Sequence, residues 1–264
     1  MVHLKKQNRY VWCIKMRNEL LDKLASKNGI FTIDDAVKIS NKKKDVLWVL
    51  LHRLERSGWI ERIEKGKYMI VPLGARKGEF TQNEFVIGSI LVEPYAISYW
   101  SSLNYHGLTE QIPQTVFIQT TSRKKEQDIN VFGVHYKIIK IRESKFYGIG
   151  SVWIDNIKIN ITEPEKTVID CLDLLQYSGG IIEVAKAIKY GSLDRDKLSE
   201  YAVNIGNSGV VRRLGYLCDL FEVDIELQFN KPRNYLYLDP FREKSGEKNS
   251  KWNLIVNVDL EDLE

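Results

Sequence analysis

Apolar residues recur along the first third of the chain with the spacing of helices. Leucines at positions 47, 50, 51 and 54 follow the i, i+3, i+4, i+7 rule of a buried helical stripe. This stripe predicts a helix that begins around Asn41–Lys44 and ends at Ser57, before Gly58. Earlier apolar positions predict a helix over Trp12–Asn28 that stops at Gly29, and then a short helix capped by the hydroxyl of Thr32.

Two short apolar runs come next, joined by Glu64-Lys65-Gly66. They predict a β-hairpin in which Gly66 supplies the positive φ of the turn. Three helices followed by a hairpin is the order of a winged helix-turn-helix. In that fold the third helix can enter the major groove while the hairpin reaches flanking phosphates or the minor groove. A winged helix that serves as a platform for another protein remains the alternative.

The pattern changes near Pro72, and residues Gly74–Thr81 read as a linker between two domains, 1–78 and 79–264. Helices are predicted over Gln82–Val92, from Pro94 to Gly107, after the capping box Thr162–Glu165, and over Ile181–Tyr190, Arg195–Ile205 and Ser208–Phe221. Strands are predicted over Thr115–Thr121, Val131–Ile141, Val152–Ile161 (folded at Asp155-Asn156), Asn234–Leu238 and Trp252–Val258. The predicted fold class is α+β, a winged helix-turn-helix followed by a larger mixed α/β C-terminal domain.

Charge is distributed unevenly between the two parts. Residues 1–78 hold 18 Lys and Arg against 8 Asp and Glu, whereas chain totals of 39 and 35 leave 21 against 27 for the remainder. The N-terminal part therefore carries a balance of +10 and the rest −6. We expect a polyanionic partner at the N-terminal end, although a basic segment can also be a solvated surface.

The predicted third helix places its cations opposite the leucine stripe. Arg53 and Arg56 are the best candidates for guanine edges or phosphates, because arginine makes bidentate contacts. Either could instead pair with Asp45 or Glu55, and Trp48 could pack against the first helix or the hairpin. The residues expected to contact DNA are Lys42, Lys43, Lys44, Trp48, His52, Arg53, Arg56, Arg62, Lys65 and Lys67.

The sequence contains no pattern that indicates a cofactor, a metal or catalysis. The three cysteines and four histidines lack ligand spacing, and no apolar run has the length of a membrane span. We therefore expect a cytoplasmic protein that is not an enzyme and needs neither metal nor cofactor. Four acids lie close together here. We expect Glu163 and Glu165 to cap a helix and Asp170 and Asp173 to face solvent. Four acids at this spacing could also form the metal-dependent centre of a nuclease or transferase.

Adjacent arginines mark the last predicted helix. Arg212 and Arg213 lie in SGVVRRLGYL, opposite the apolar positions Val210, Leu214 and Leu217. They could contact a partner or nucleic acid, or face water.

Three stretches together resemble one family, the AbiEi-type antitoxins of abortive-infection toxin–antitoxin loci, also described as transcriptional regulators of viral defence. They are VLLHRLERSGWIERIEKGKYMIV (49–71), YAISYWSSLNYHGLTEQIPQTVFIQTT (95–121) and TEPEKTVIDCLDLLQYSGGIIEVAKAI (162–188), with support from VVRRLGYL (210–217). The first is common to many winged helices, and the other two make the resemblance specific.

The resemblance implies two functions. The winged helix would bind inverted or direct repeats in its own promoter and repress the operon, with Arg53, Arg56 and Lys67 facing the duplex. The protein could bind this DNA as a homodimer, although the sequence does not determine its oligomeric state. The C-terminal domain would counteract a nucleotidyltransferase-like toxin, and the resemblance leaves direct contact with that toxin open. The alternative is a repressor of another defence or mobile-element gene, with a C-terminal domain that senses a ligand or dimerises.

Overall fold

The computed structural model describes residues 19–25, 29–72, 82–228, 230, 232–260 and 263. The described residues do not include the predicted linker or the predicted domain boundary at residue 78. They also leave out Cys13 and the parts of the predicted first helix on either side of residues 19–25. The chain forms two compact units. The first runs to Leu91 and includes the short segments Val131–Gly133 and Trp153–Ile157, and the second contains the rest.

The first unit combines short helices with an antiparallel three-stranded sheet of order β1-β3-β2. Its elements are α1 (residues 19–25), β1 (Ile30–Thr32), α2 (Ile33–Ser40), α3 (Lys44–Arg56), β2 (Ile60–Glu64), β3 (Lys67–Ile70) and α4 (Glu84–Leu91).

The leucine stripe of α3 forms the centre of this unit's core. Leu47, Leu51 and Leu54 are fully buried, whereas Leu50 at the edge of the stripe is only partly covered. They pack with residues of α1 and with Phe31, whose ring stacks on Tyr68 of the hairpin. Burial of one face of α3 leaves its opposite face to solvent, as the sequence predicts for a winged helix-turn-helix.

The second unit holds a six-stranded mixed sheet, a group of helices and a small three-stranded sheet. The sheet orders are β6-β7-β5-β4-β9-β8 and β10-β12-β11. The elements are β4 (Ala96–Ile97), α5 (Tyr99–Tyr105), β5 (Thr115–Thr120), β6 (Asp128–Val131), β7 (Val134–Lys140), β8 (Ile149–Ile154), β9 (Ile157–Thr162), α6 (Pro164–Asp173), α7 (Ile181–Tyr190), α8 (Arg195–Asn204), α9 (Ser208–Leu220), β10 (Leu236–Tyr237), β11 (Glu247–Asn249) and β12 (Leu254–Val256).

Helix α6 lies against the other helices of this unit. Its residues Val168, Ile169 and Leu172 are buried in a core shared with α5, α7, α8 and α9. Cys171 and Cys218 are buried free thiols in the same core. The predicted α+β class with a larger mixed C-terminal region is confirmed.

Two predicted elements differ from the structure. The helix predicted from Pro94 begins only at Tyr99, because Ala96 and Ile97 pair with β5 and Ile97 also pairs with β9. The strand predicted over Val131–Ile141 is a turn at Phe132-Gly133 followed by β7. The predicted fold-back at Asp155-Asn156 is confirmed, since both residues have the positive φ (49° and 63°) of a tight hairpin turn.

Within the described part of the chain, no helix combines the length and the apolar character that crossing a membrane requires.

Candidate nucleic-acid interface

A complete capping box fixes the start of α2, and α2 in turn leads into α3. The Thr32 hydroxyl accepts a hydrogen bond from the Asp35 backbone N–H at 3.1 Å, and Asp35 Oδ2 accepts one from the Thr32 N–H at 2.9 Å. Both donors would otherwise be unpaired at a helix start. Asn41 then ends α2 in the left-handed conformation, with φ of 52°, and only two residues separate it from α3.

The exposed face of α3 carries the cations that the sequence singled out. His52, Arg53 and Arg56 are exposed, while Leu47, Leu51 and Leu54 on the opposite side are buried. Two valines, Val46 and Val49, are exposed among them by 48% and 54%. We call the outward residues of this helix the α3 face: Asp45, Val46, Val49, His52, Arg53 and Arg56.

The three lysines before and at the start of α3 have different surroundings. Lys43 is exposed at the N-cap position, whose side chain makes no capping hydrogen bond. The Lys44 ammonium lies 2.8 Å from Asp34 Oδ1 in a solvent-exposed ion pair. Lys42 is half-buried and has an interaction of its own. Lys43 is therefore the most accessible of the three for a phosphate near the amides of the helix start.

Trp48 packs inside the unit. It is partly buried against the core, and its ring edge would lie 3.8 Å from a Cβ placed on Gly66 in the hairpin turn. Gly66 has φ of +79°, as the sequence predicts for this turn. Of the two roles left open for Trp48, packing beside the hairpin is the one that this geometry favours.

The hairpin of β2 and β3, hereafter the wing, presents two exposed cations. Arg62 on β2 and Lys65 in the turn are both exposed. Lys67 differs, because its ammonium lies 3.0 Å from Glu64 Oε2 and donates a hydrogen bond to the carbonyl of Leu91, the last residue of α4. Lys67 thus ties the wing to the end of α4, where a positive charge also meets the negative end of the helix dipole.

The expected capping box at Thr162–Glu165 is wrong. Glu163 is the N-cap of α6, and its side chain does not cap the helix. Instead Glu163 accepts hydrogen bonds from Lys197 at 3.0 Å and Tyr201 at 2.8 Å, which lower the pKa of its carboxyl. Glu165 accepts the backbone N–H of Asp194 at 2.9 Å. Both acids therefore attach α6 to the segment that begins α8.

The expectation that Asp170 and Asp173 face solvent is also wrong. Asp170 is buried and forms an ion pair with Lys166, which is itself fully buried, and burial raises the pKa of Asp170 to about 6. The ring of Tyr147 covers the Lys166 ammonium at 4.7 Å from the ring centroid. Asp173 pairs with Lys145 at 2.6 Å. Among the described residues, no group of three or more His, Cys, Asp or Glu side chains could hold a metal ion.

The two arginines of α9 are buried, so the expectation of an exposed pair is wrong. Arg212 is fully buried and donates to the carbonyls of Asn234, Trp252 and Asn253 at 2.5–3.0 Å. Arg213 donates to the carbonyls of Tyr237 and Leu238. These carbonyls belong to and flank β10 and β12, so the arginines hold the small sheet against α9 and present no surface to a partner.

The sequence contained one usable sign of the buried pair on α6. Lys166 and Asp170 are four residues apart, a spacing that places two side chains next to each other on one face of a helix. No comparable sign distinguished Arg212, because its partners are backbone carbonyls more than 20 residues away.

Comparison with known proteins agrees with the sequence and the geometry of the first unit. Residues 18–71 match the family model described as "Transcriptional regulator, AbiEi antitoxin", which confirms the AbiEi-type resemblance over this part of the chain. The family is one of DNA-binding antitoxin regulators. No curated protein matches the sequence. The crystal structure of the RV2827C protein from Mycobacterium tuberculosis has a similar fold, with a TM-score of 0.63 and 11% identity over 91% of each chain.

Proposed function

We propose that this chain is a DNA-binding antitoxin that represses its own toxin–antitoxin operon and counteracts a nucleotidyltransferase-like toxin. The observation that supports it best is the α3 face. A helix fixed by three buried leucines presents Arg53 and Arg56 outward, in the position that a winged helix uses for the major groove.

The positions of the other cations suit the same duplex. Arg62 and Lys65 are exposed on the wing, and Lys43 is exposed at the start of α3. Contacts from two separate elements to phosphates fix the register of a protein on DNA, while side chains on the helix read base edges. In this proposal Lys43, Arg62 and Lys65 bind phosphate, and Arg53 and Arg56 read guanine.

The DNA-binding part is tested by comparing the fragment upstream of this gene with a scrambled fragment of equal length. We expect tighter binding to the upstream fragment, and an affinity that falls steeply with salt because counterions are released from several phosphates. Arg53→Ala and Arg56→Ala should each weaken specific binding by about 1–3 kcal/mol, whereas Lys158→Ala, an exposed lysine of the second unit, should leave it unchanged. Equal affinity for both fragments would contradict repression of its own operon.

The antitoxin part is assigned to the second unit and is tested with the whole chain. The Arg53→Ala/Arg56→Ala variant should lose repression of the promoter yet still rescue growth when the neighbouring toxin gene is expressed. This separation is expected because both substitutions lie on the exposed surface of the first unit and touch none of its core. Loss of rescue in a stably folded variant would show that antitoxicity acts through DNA. A neighbouring gene unrelated to nucleotidyltransferases would favour a repressor of another defence gene.

A further inference from the structure

The α3 face has an apolar centre. At 100° per residue Val49 points about 40° from Arg53 and about 20° from Arg56, and Val46 lies about 60° away on the Arg53 side. Val49 is exposed by 54% and Val46 by 48%. Val49 thus stands between Arg53 and Arg56 near the middle of this face, and Val46 lies at its edge, just beyond Arg53.

Isolated exposed apolar residues are common and carry no meaning by themselves. Two β-branched residues on one exposed helix face are different, because valine is a poorer helix former than alanine, lysine or glutamate. Neither valine belongs to the core of the unit. The helix would be more stable with other residues at these positions, so local structure does not account for them.

The surrounding charge favours one class of occupant. The face combines Arg53, Arg56 and His52 with the two valines. An apolar protein surface would have to desolvate the cations, whereas a duplex offers phosphates to the cations and thymine C5-methyl groups to the valines. Asp45, on the other side of Val49, could accept a hydrogen bond from a cytosine amino group.

We propose that Val49, with Val46 beside it, reads thymine methyl groups in the major groove, so that the binding site holds A·T pairs opposite the centre of α3 and G·C pairs opposite its arginines. This rests on the proposed function and adds the base composition of the site. In this proposal Val49 determines part of the base specificity through an apolar contact.

The test replaces thymidine by deoxyuridine, which pairs identically and lacks only the methyl group. The fragment upstream of the gene is prepared with either nucleotide, and the affinity of the full chain for each is measured by fluorescence anisotropy at fixed salt. We expect deoxyuridine to weaken wild-type binding about fourfold for each methyl contacted, the equivalent of one buried methyl group. Val49→Ala should bind the thymidine fragment more weakly, and its ratio between the two fragments should approach one.

Two controls make the result specific. Alanine favours helix more than valine does, so Val49→Ala should fold normally. Val203→Ala removes a valine of the second unit that is exposed by 51%, and it should retain the wild-type ratio. Effects of deoxyuridine on the shape of the duplex cancel, because every variant is measured on the same two fragments.

The outcomes separate this inference from the proposed function. Equal affinity of the wild type for upstream and scrambled thymidine DNA overturns the proposed function. Two results overturn only the reading of methyl groups. One is a wild-type preference for upstream DNA that does not change when deoxyuridine replaces thymidine. The other is a Val49→Ala variant that keeps the wild-type ratio of affinities for the thymidine and deoxyuridine fragments. A Val49→Ala variant that binds DNA normally but loses self-association in light scattering assigns the face to a second copy of the chain and overturns it too.

Discussion

Lys166 and Asp170, one helical turn apart on α6, form an ion pair in which both side chains are buried. The Asp170 Oδ2 atom has no hydrogen-bond partner among the described residues, so this carboxylate is only partly satisfied. Buried pairs of this kind contribute little net stability, yet breaking one leaves a single uncompensated charge in the core. The pair is therefore a point at which single substitutions are expected to be severe.

The pair can be tested with a double-mutant cycle. Lys166→Met and Asp170→Asn should each lower the free energy of unfolding of the chain by about 3–5 kcal/mol, and the double variant should recover a large part of the sum. Urea denaturation followed by circular dichroism measures all three. Lys251→Met is the matched control, because its partner Asp219 lies 2.7 Å away in an exposed pair and the loss should stay under about 1 kcal/mol. Additive losses in the double variant would show that the two residues act independently.

Arg212 offers a second test of the second unit. Arg212→Met would remove the hydrogen bonds that Arg212 donates to the carbonyls of Asn234, Trp252 and Asn253, which should lower the free energy of unfolding by about 3 kcal/mol or more. Arg212→Lys should be nearly as damaging, since an ammonium cannot reproduce the planar fork of donors. Arg142→Ala, at an exposed position, serves as the control in the same thermal and chemical denaturation experiments. Normal stability of Arg212→Met would contradict a structural role.

His106 predicts a dependence of stability on pH. Burial lowers the pKa of His106 below its usual value of 6.5, and its Nε2–H donates to the carbonyl of Thr162 at 2.7 Å. As pH falls through 6.5 the unfolded chain binds a proton that the folded chain does not, so stability present above this pH is lost below it, by at most about 1.4 kcal/mol per pH unit.

The measurement is the free energy of unfolding at several pH values between 7.5 and about 5, for the wild type and for His106→Gln. Glutamine keeps a donor and does not titrate, so the difference between the two proteins isolates His106 from other groups. A parallel pH dependence in both proteins would rule out this histidine as the cause.

The two lysines of the wing should behave differently. Lys65→Ala should reduce the slope of log affinity against log salt by about one, because one phosphate contact is lost. Lys67→Ala should instead destabilise the first unit, since Lys67 joins Glu64 to the end of α4. Binding isotherms at four salt concentrations and a thermal melt distinguish the two effects. A change of salt slope in Lys67→Ala with no change in its melting temperature would reverse the assignment.

Local patterns in the sequence determined most of the first unit. The leucine stripe of α3, the cap at Thr32 and the turn glycine Gly66 each depend on residues within about four positions of one another. Such short-range relationships can be read directly, and the structure places all three as predicted. The exposure of Arg53 and Arg56 follows from the same stripe, because burial of one side of a helix leaves the opposite side to solvent.

The tertiary structure alone decided the roles of the charged residues in the second unit. The Glu163 side chain does not cap α6, because it accepts hydrogen bonds from Lys197 and Tyr201 on α8 instead. Arg212 is buried because it donates hydrogen bonds to distant carbonyls near β10 and β12. Ala96 and Ile97 form a strand because β5 and β9 lie on either side of them. In each case the deciding partner is more than 20 residues away, and helical or strand periodicity contains no information about contacts at that distance.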